Sequence, residues 1–146
     1  MVDQKNQHEI DADIELLFYA YRAFTAQADA LLAEHQLSRV HHRVLYFVAR
    51  NPGIAVNQLL AKLGVSKQAL HAPMKALQAA VLIETRSDAS DKRVRCLYLT
   101  AAGESLENEL THPQRTLLQQ LEAQLGNEVT LAWRKMMSAL SQEIAT

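Results

Sequence analysis

The stretch VNQLLAKLGVSKQAL, residues 56–70, contains a leucine-rich run, a glycine and a serine in an order that favours two short helices. Leu59 and Leu63 have the spacing of one helix face. Gly64 provides a residue for a tight turn, and Ser66 is a good N-cap for a second helix. Two short helices joined by a three- to four-residue turn with glycine are typical of a helix-turn-helix. The spacing alone is not specific, because other helical hairpins also have glycine turns.

The second helix of this pair contains a proline, Pro73. Proline removes the amide that would bond to the Ala69 carbonyl, and its ring crowds that carbonyl, at an interior cost of about 3 kcal/mol. One interpretation starts the helix at Pro73, which leaves Ser66 unused. We favour the other, in which the helix starts after Ser66 and bends between Ala69 and Pro73. Our hypothesis is that the bend tilts Lys67–His71 relative to the half that packs in the core.

A β-hairpin is predicted directly after this helix. VLIETR (81–86) and RVRCLYLT (93–100) are β-prone runs, and they flank the polar segment SDASDK (87–92). A helix-turn-helix followed by a hairpin is the winged form of the motif. The combination is far more specific than either half.

Long helices are predicted on both sides of this central region. Apolar residues repeat at steps of three and four within 9–34, and Ser38 can cap a helix that ends at Asn51-Pro52-Gly53. From Thr100 onward two more helical stripes follow, separated by Gly126, and the first of them contains Pro113. The fold class is therefore mainly α, with about six helices and a two-stranded β-hairpin wing.

The net charge of −1 conceals an uneven distribution. Residues 35–99 contain ten of the 15 lysines and arginines but only three of the 16 acids, so this region carries +7 and the flanks carry −8. An acidic–basic–acidic order is typical of a nucleic-acid-binding surface mounted on a separate scaffold. Solvated charged faces would give a similar count, and charge alone does not separate the two.

Composition excludes several classes of protein. The chain has 146 residues, 49% of them hydrophobic, and no apolar run near the roughly 20 residues that cross a bilayer. Its polar, acidic start is unlike a secretory signal, and the single cysteine, Cys96, fits a reducing cytoplasm. Motifs of hydrolases, phosphate-binding loops and metalloenzymes are missing from the sequence. We expect a cytoplasmic protein that is not an enzyme and needs no cofactor.

The sequence resembles the multiple-antibiotic-resistance repressor (MarR) family. The resemblance rests on DKRVRCLYLTAAG, which fits D-x-R-x-x-x-L-x-L-T-x-x-G from Asp91 to Gly103, and on the order of segments along nearly the whole chain. Leu60 and Ala80 replace an expected small residue and an expected glycine, and Ala72 stands where an arginine is common. The resemblance implies a homodimer that binds double-stranded DNA at pseudo-palindromic operators, usually as a repressor released by a small ligand.

This resemblance also divides the chain. Residues 1–146 form a single domain, in which 9–36 and 101–146 are dimerisation helices and 37–100 are the DNA-binding lobe. A protein-interaction adaptor is the alternative from another class, because winged helices sometimes bind proteins through the same face. A small enzyme is a weaker alternative.

Two groups of residues are predicted to contact DNA. The tip of a helix offers unpaired amides to a phosphate, and its first turn can reach base edges. The outward side of the second helix supplies Ser66, Lys67, Gln68, His71 and Lys75. In the wing, the family's arginine corresponds to Arg93, and Asp91 would orient it by an ion pair. The remaining wing candidates are Arg86, Lys92 and Arg95.

Other polar residues have less specific roles. The family's architecture implies an effector pocket where scaffold and lobe meet, near Tyr21, His35, Arg39 and His42. A zinc site from His42, Glu109 and His112 is conceivable, but the ligands are not closely spaced and no metal is predicted. Cys96 alternates with Leu97 along a strand, so we expect a structural or partly exposed thiol and not a redox switch.

Overall fold

A computed structural model describes residues 3–144, with side chains through residue 142. The parts of the predicted ranges 1–146 and 101–146 that fall beyond these limits lie outside the described residues. Along the described chain the elements are α1 (Gln4–Glu34), α2 (Arg39–Arg50), β1 (Ile54–Ala55), α3 (Val56–Leu63), α4 (Lys67–Ala79), β2 (Ile83–Ser87), β3 (Arg95–Leu99), α5 (Ala101–Leu125) and α6 (Asn127–Ile144).

The helix-turn-helix forms as the sequence predicts. Gly64 ends α3 in the left-handed conformation, with φ +66°, which glycine adopts without steric cost. The Ser66 hydroxyl then accepts a hydrogen bond from the Ala69 amide at 3.1 Å, and α4 begins at Lys67. The alternative start at Pro73 is therefore wrong, because the helix continues through the proline.

The sheet has one strand more than the predicted hairpin. Strand β3 lies between β1 and β2, and both pairings are antiparallel. Leu97 pairs with Ile54 on one side and Thr85 on the other, and its side chain is fully buried. Two residues are too few to produce the alternation by which a strand is recognised, so β1 could not be predicted from the sequence.

Helix α1 extends further than its apolar stripe indicates, whereas α5 has the predicted limits. Helix α1 begins at Gln4, capped by the Asp3 carboxylate, five residues before the stripe that starts at residue 9. Helix α5 runs through Pro113 to Leu125. None of the described helices is both long enough and apolar enough to span a bilayer.

The hydrophobic core lies within the predicted lobe and between the lobe and helices α1 and α5. Apolar side chains from α2, α3, α4 and the sheet meet two from α1 and two from α5, and the fully buried ones include Val44, Leu45, Leu59, Leu77 and Leu110. Helix α6 and large parts of α1 and α5 lie outside this core. Large apolar side chains there are exposed, among them Phe18, Leu125, Trp133 and Met136.

Candidate DNA-binding surface

Helix α4 presents one polar and one apolar face. Leu70 and Leu77 are buried, and Met74 packs against the core. The opposite side carries the exposed side chains Lys67, Gln68, His71 and Lys75, with Ser66 at the tip. This arrangement leaves cationic and amide groups free to reach base edges and phosphates from a helix N-terminus.

The wing carries a second set of exposed cations. At the end of the β2–β3 hairpin, the Arg93 amide and guanidinium Nε donate to Asp91 Oδ1 at 3.0 and 3.2 Å. These bonds, first the backbone one and then the side-chain one, lower the pKa of the Asp91 carboxyl. The Arg93 side chain is 92% exposed. The predicted ion pair is therefore present, and it orients a guanidinium that points into solvent.

The other wing cations differ in their contacts with the rest of the hairpin. Lys92 and Arg95 are exposed beside Arg93. Arg86 pairs with Glu84 and lies over the Tyr98 ring, 4.2 Å from its centroid. Arg86 thus braces the hairpin, while Lys92, Arg93 and Arg95 extend the cationic surface toward the hairpin tip.

A cleft of about 190 Å³ lies between α1, α2 and α5. Three of the four predicted effector residues, Tyr21, Arg39 and His42, line it. The fourth, His35, is not among its lining residues and instead ends α1 as its C-cap. The rest of the lining includes the aromatic residues Phe24, Tyr46 and Phe47. The cleft therefore has aromatic walls with charged groups between them.

The cleft's charged groups are paired. Arg39 donates to both oxygens of Asp29 at 2.9–3.2 Å, and this hydrogen bond lowers the pKa of the Asp29 carboxyl. Arg43 donates to the Tyr21 hydroxyl. Each arginine holds a residue of α1 against α2. A ligand that entered the cleft would compete with these contacts.

Below the cleft, a buried chain of hydrogen bonds joins α2 to α5. His42 Nε2 lies 3.1 Å from Thr111 Oγ1, and that hydroxyl donates to Glu107 Oε1 at 3.0 Å. Arg50 forms an ion pair with the same carboxylate and lies over the Tyr46 ring, 4.0 Å from its centroid. Burial lowers the pKa of His42, although the negative charge of Glu107 acts the other way. Two residues of the cleft wall, His42 and Tyr46, are therefore each connected to one carboxylate of α5.

Sequence reasoning missed this chain of hydrogen bonds. Glu107 and Thr111 are only 6% exposed. They lie next to Leu106 and Leu110 on the buried side of α5, so a four-residue spacing of polar groups beside an apolar stripe was the available signal. A buried carboxylate requires a partner, and a search of the lobe for a cation could have found Arg50.

The zinc alternative and the prediction for the Cys96 thiol have different outcomes. His42 bonds with Thr111, whereas Glu109 and His112 are exposed. Within residues 3–142 no three His, Cys, Asp or Glu side chains are grouped so that they could hold a metal ion, and the geometry gives the zinc alternative no support. Cys96 is a free, partly buried thiol in β3, opposite Ala55 and Arg86. This agrees with the predicted partly exposed thiol.

Comparisons with known proteins agree with this geometry. Residues 35–94 match a family model described as the MarR family. The chain is 39% identical over 127 residues to the HTH-type transcriptional regulator PetP of Rhodobacter capsulatus, and the alignment covers 87% of this chain and 76% of PetP.

Solved structures share the fold. Streptococcus pneumoniae FabT in complex with DNA has a TM-score of 0.82 at 16% identity, covering 93% of this chain and 97% of FabT. Staphylococcus aureus MarR in complex with salicylate and kanamycin has a TM-score of 0.76 at 17% identity, covering 97% and 95%. At these identities the likeness concerns the fold.

An exposed cationic helix, a cationic hairpin and these relatives define a winged helix-turn-helix regulator of transcription that binds DNA. The chain belongs to the MarR family. The fold class and the functional class predicted from the sequence are both confirmed.

Proposed function

We propose that this protein is a homodimeric repressor that binds a pseudo-palindromic operator and is released by a small-molecule effector. Residues 37–100 are the DNA-binding lobe, and residues 9–36 and 101–146 form the dimer scaffold. The protein acts in the cytoplasm by binding, with no catalytic step and no cofactor.

The observation that carries the proposal is the exposed polar side of α4 next to the cationic end of the wing. Lys67 and Gln68 occupy the first turn of α4, where lysine can donate to guanine and glutamine can pair with adenine in the major groove. Arg93 extends from the wing, and an arginine at such a tip fits a narrow minor groove. In this proposal His71 contacts a base or a phosphate, and Lys75, Lys92 and Arg95 contact phosphates.

The exposed apolar surface supports the homodimer. Val129, Trp133, Met136 and Leu140 follow one face of α6 at helical spacing, and each is 47–68% exposed. Exposed apolar surfaces of this kind are typical of protein–protein interfaces. A second copy of the chain would cover this face, and twofold symmetry would set two lobes against half-sites about one helical turn, roughly 34–36 Å, apart.

The cleft beside α1 and α2 is the proposed effector site. Aromatic walls and the paired charges of Arg39 and Asp29 suit a small aromatic molecule with a polar group. The MarR structure with salicylate and a NadR structure with 4-hydroxyphenylacetate provide examples among proteins of this fold. An effector that preferred one separation of the lobes would shift the dimer toward it, and a separation wrong for the operator would release the DNA.

The test is selection of duplexes from a random DNA library by the purified protein, followed by binding assays at several salt concentrations. We expect an inverted repeat and an affinity that falls steeply with salt, since much of the binding energy comes from counterion release. A protein that enriches no sequence and ignores DNA at low salt would refute the proposal and favour a protein-interaction adaptor.

The bend at Pro73 stays a prediction that the same assay tests. If the bend aims Lys67–His71 at the groove, Pro73→Ala changes operator affinity more than the melting temperature. Unchanged affinity with an altered melting temperature would limit the role of Pro73 to folding.

A further inference from the structure

The turn between α4 and β2 has an unusual backbone conformation at Val81. Its φ is +57°, in the left-handed region, which β-branched residues rarely adopt. The Val81 side chain is 65% exposed, so burial of that side chain does not compensate for the conformation. Val81 directly follows the C-cap of α4, a position where helices commonly end with a left-handed residue and where glycine is usual.

Hydrogen bonds that end α4 form this turn, and contacts from Thr100 hold it against α5. Thr100 follows β3 and is the N-cap of α5. Its hydroxyl donates to the Val81 carbonyl at 2.6 Å, and its amide donates to the Leu82 carbonyl at 3.1 Å. The same hydroxyl accepts from the Gly103 amide at 3.0 Å. The Thr100 side chain therefore caps α5 and also holds the turn that follows α4.

Gly103 makes this approach possible. A Cβ atom at Gly103 would lie 2.0 Å from the Leu82 carbonyl oxygen, a distance at which the backbone of the turn would have to move. The first turn of α5 thus lies directly against the α4–β2 turn. We call the contact among Val81, Leu82, Thr100 and Gly103 the turn clamp.

The turn clamp joins three parts at one point: the end of α4, the start of β2 and the end of β3, all held to α5. We propose that Thr100 and Gly103 are positioning residues that set the angle of α4 and the wing relative to α5, and with it the half-site spacing that the dimer accepts. The inference rests on the proposed dimeric binding of DNA. Because valine rarely adopts a positive φ, the backbone at Val81 should relax to another conformation once the bonds from Thr100 are removed.

Two substitutions of Thr100 separate positioning from helix capping. Thr100→Ser keeps a hydroxyl that both donates and accepts. Thr100→Asp keeps an acceptor for the Gly103 amide, but an ionised carboxylate cannot donate to the Val81 carbonyl. The probe is a series of duplexes in which two copies of the half-site selected by the wild-type protein are separated by spacers that differ by one base pair.

We expect Thr100→Ser to retain the wild-type spacing preference. Thr100→Asp should bind the wild-type spacing at least about tenfold more weakly and prefer another spacing or lose the preference. A Thr100→Asp protein that weakens binding equally at every spacing, or not at all, would overturn the inference while leaving DNA binding intact. A wild-type protein that binds no duplex would instead refute the proposed function.

Val81→Gly tests the turn clamp if Thr100→Asp does not fold. Glycine adopts a positive φ without strain, so this variant should melt at a higher temperature and keep the wild-type spacing preference. A lower melting temperature, or a changed spacing preference in spite of the intact Thr100 bonds, would contradict the inference.

Discussion

The proposed DNA-binding lobe and the proposed dimer scaffold differ in whether their apolar side chains are buried or exposed. Among the residues whose side chains the structure describes, ten of the 14 buried core side chains belong to the segment from Val44 to Leu97. Of the 17 large apolar side chains that are exposed in the same residues, 15 lie on α1, α5 or α6. The proposed lobe therefore supplies most of the core, and α1 and α5 supply the other four side chains. In one copy of the chain, the helices of the proposed scaffold expose apolar side chains to solvent.

Charge follows the same division. The basic segment 35–99 carries +7, and the flanks carry −8. The lobe's charge suits a polyanion, and the scaffold's apolar faces suit a second copy. From this difference we expect residues 37–100 to supply most of the folding core and the terminal helices most of the dimer contact, so substitutions in the two parts should have separable effects.

The largest effect is expected from a charge in the apolar face of α6. Met136→Glu places a carboxylate among Val129, Trp133 and Leu140, and the cost of burying it should prevent the two copies from associating. Operator affinity should fall by about 100-fold or more, because each lobe would then bind its half-site alone. Light scattering measures the mass, and an anisotropy assay measures the affinity.

The matched control is Ser138→Glu, which adds the same charge to the opposite side of α6. It should leave both the mass and the affinity unchanged. A Met136→Glu protein that remains dimeric would place the dimer contact elsewhere and would break the division between lobe and scaffold.

The lobe was more predictable from sequence than its attachment to the scaffold. Ser66 and Gly64 fix local backbone geometry through their own chemistry, and the limits of α3 and α4 followed from them. Arg50 and Glu107 are 57 positions apart in sequence, and nothing local to either residue indicates that they meet. The family's architecture implied that His35 lines the effector pocket, but His35 is the C-cap of α1 and is not among the residues that line the cleft.

The next largest effect is expected at the ion pair between Arg50 of α2 and Glu107 of α5. Arg50→Met leaves the Glu107 carboxylate, whose side chain is 9% exposed, without its cation. Breaking a buried pair costs about 3–5 kcal/mol. Because the Arg50 side chain is one-third exposed, we expect a smaller loss, about 2–3 kcal/mol of unfolding free energy, after allowing for solvent screening. Urea unfolding at a fixed protein concentration measures it.

A double variant checks the cause of this loss. Glu107→Gln combined with Arg50→Met removes both charges and keeps an amide oxygen for the Thr111 hydroxyl. It should be more stable than Arg50→Met alone. If the double variant is no more stable than Arg50→Met, the lost packing of Arg50 on Tyr46, and not an unpaired charge, is responsible.

A smaller effect is expected at the wing. Arg93→Ala should weaken operator binding about tenfold, since one arginine contact to DNA is worth about 1–3 kcal/mol. Stability should hardly change, because the side chain is 92% exposed. Arg115→Ala removes an equal charge from an exposed position of α5, and its affinity should match the wild type. Equal losses from both variants would mean that overall charge, and not the wing, determines affinity.

The smallest effect is a dependence of stability on pH that arises from His42. Burial lowers the pKa of His42 in the folded protein, so the unfolded chain, in which a histidine has its ordinary pKa of about 6.5, takes up the proton first as the pH falls. The contribution of neutral His42 is complete above about pH 6.5 and is lost progressively below it. His42→Gln, which can still bond to Thr111, should reduce the decline in melting temperature between pH 7 and pH 5.

His41 provides the control, because burial lowers its pKa too. Its Nδ1 accepts from the Ser38 amide at 2.9 Å at the start of α2, where glutamine is a usual capping partner. His41→Gln therefore removes one titrating group of the lobe and leaves the link between α2 and α5 in place. If His42 makes the larger contribution, the decline in melting temperature is shallower in His42→Gln than in His41→Gln. The opposite order would assign the pH dependence to the capping of α2 within the lobe, and not to its junction with the scaffold.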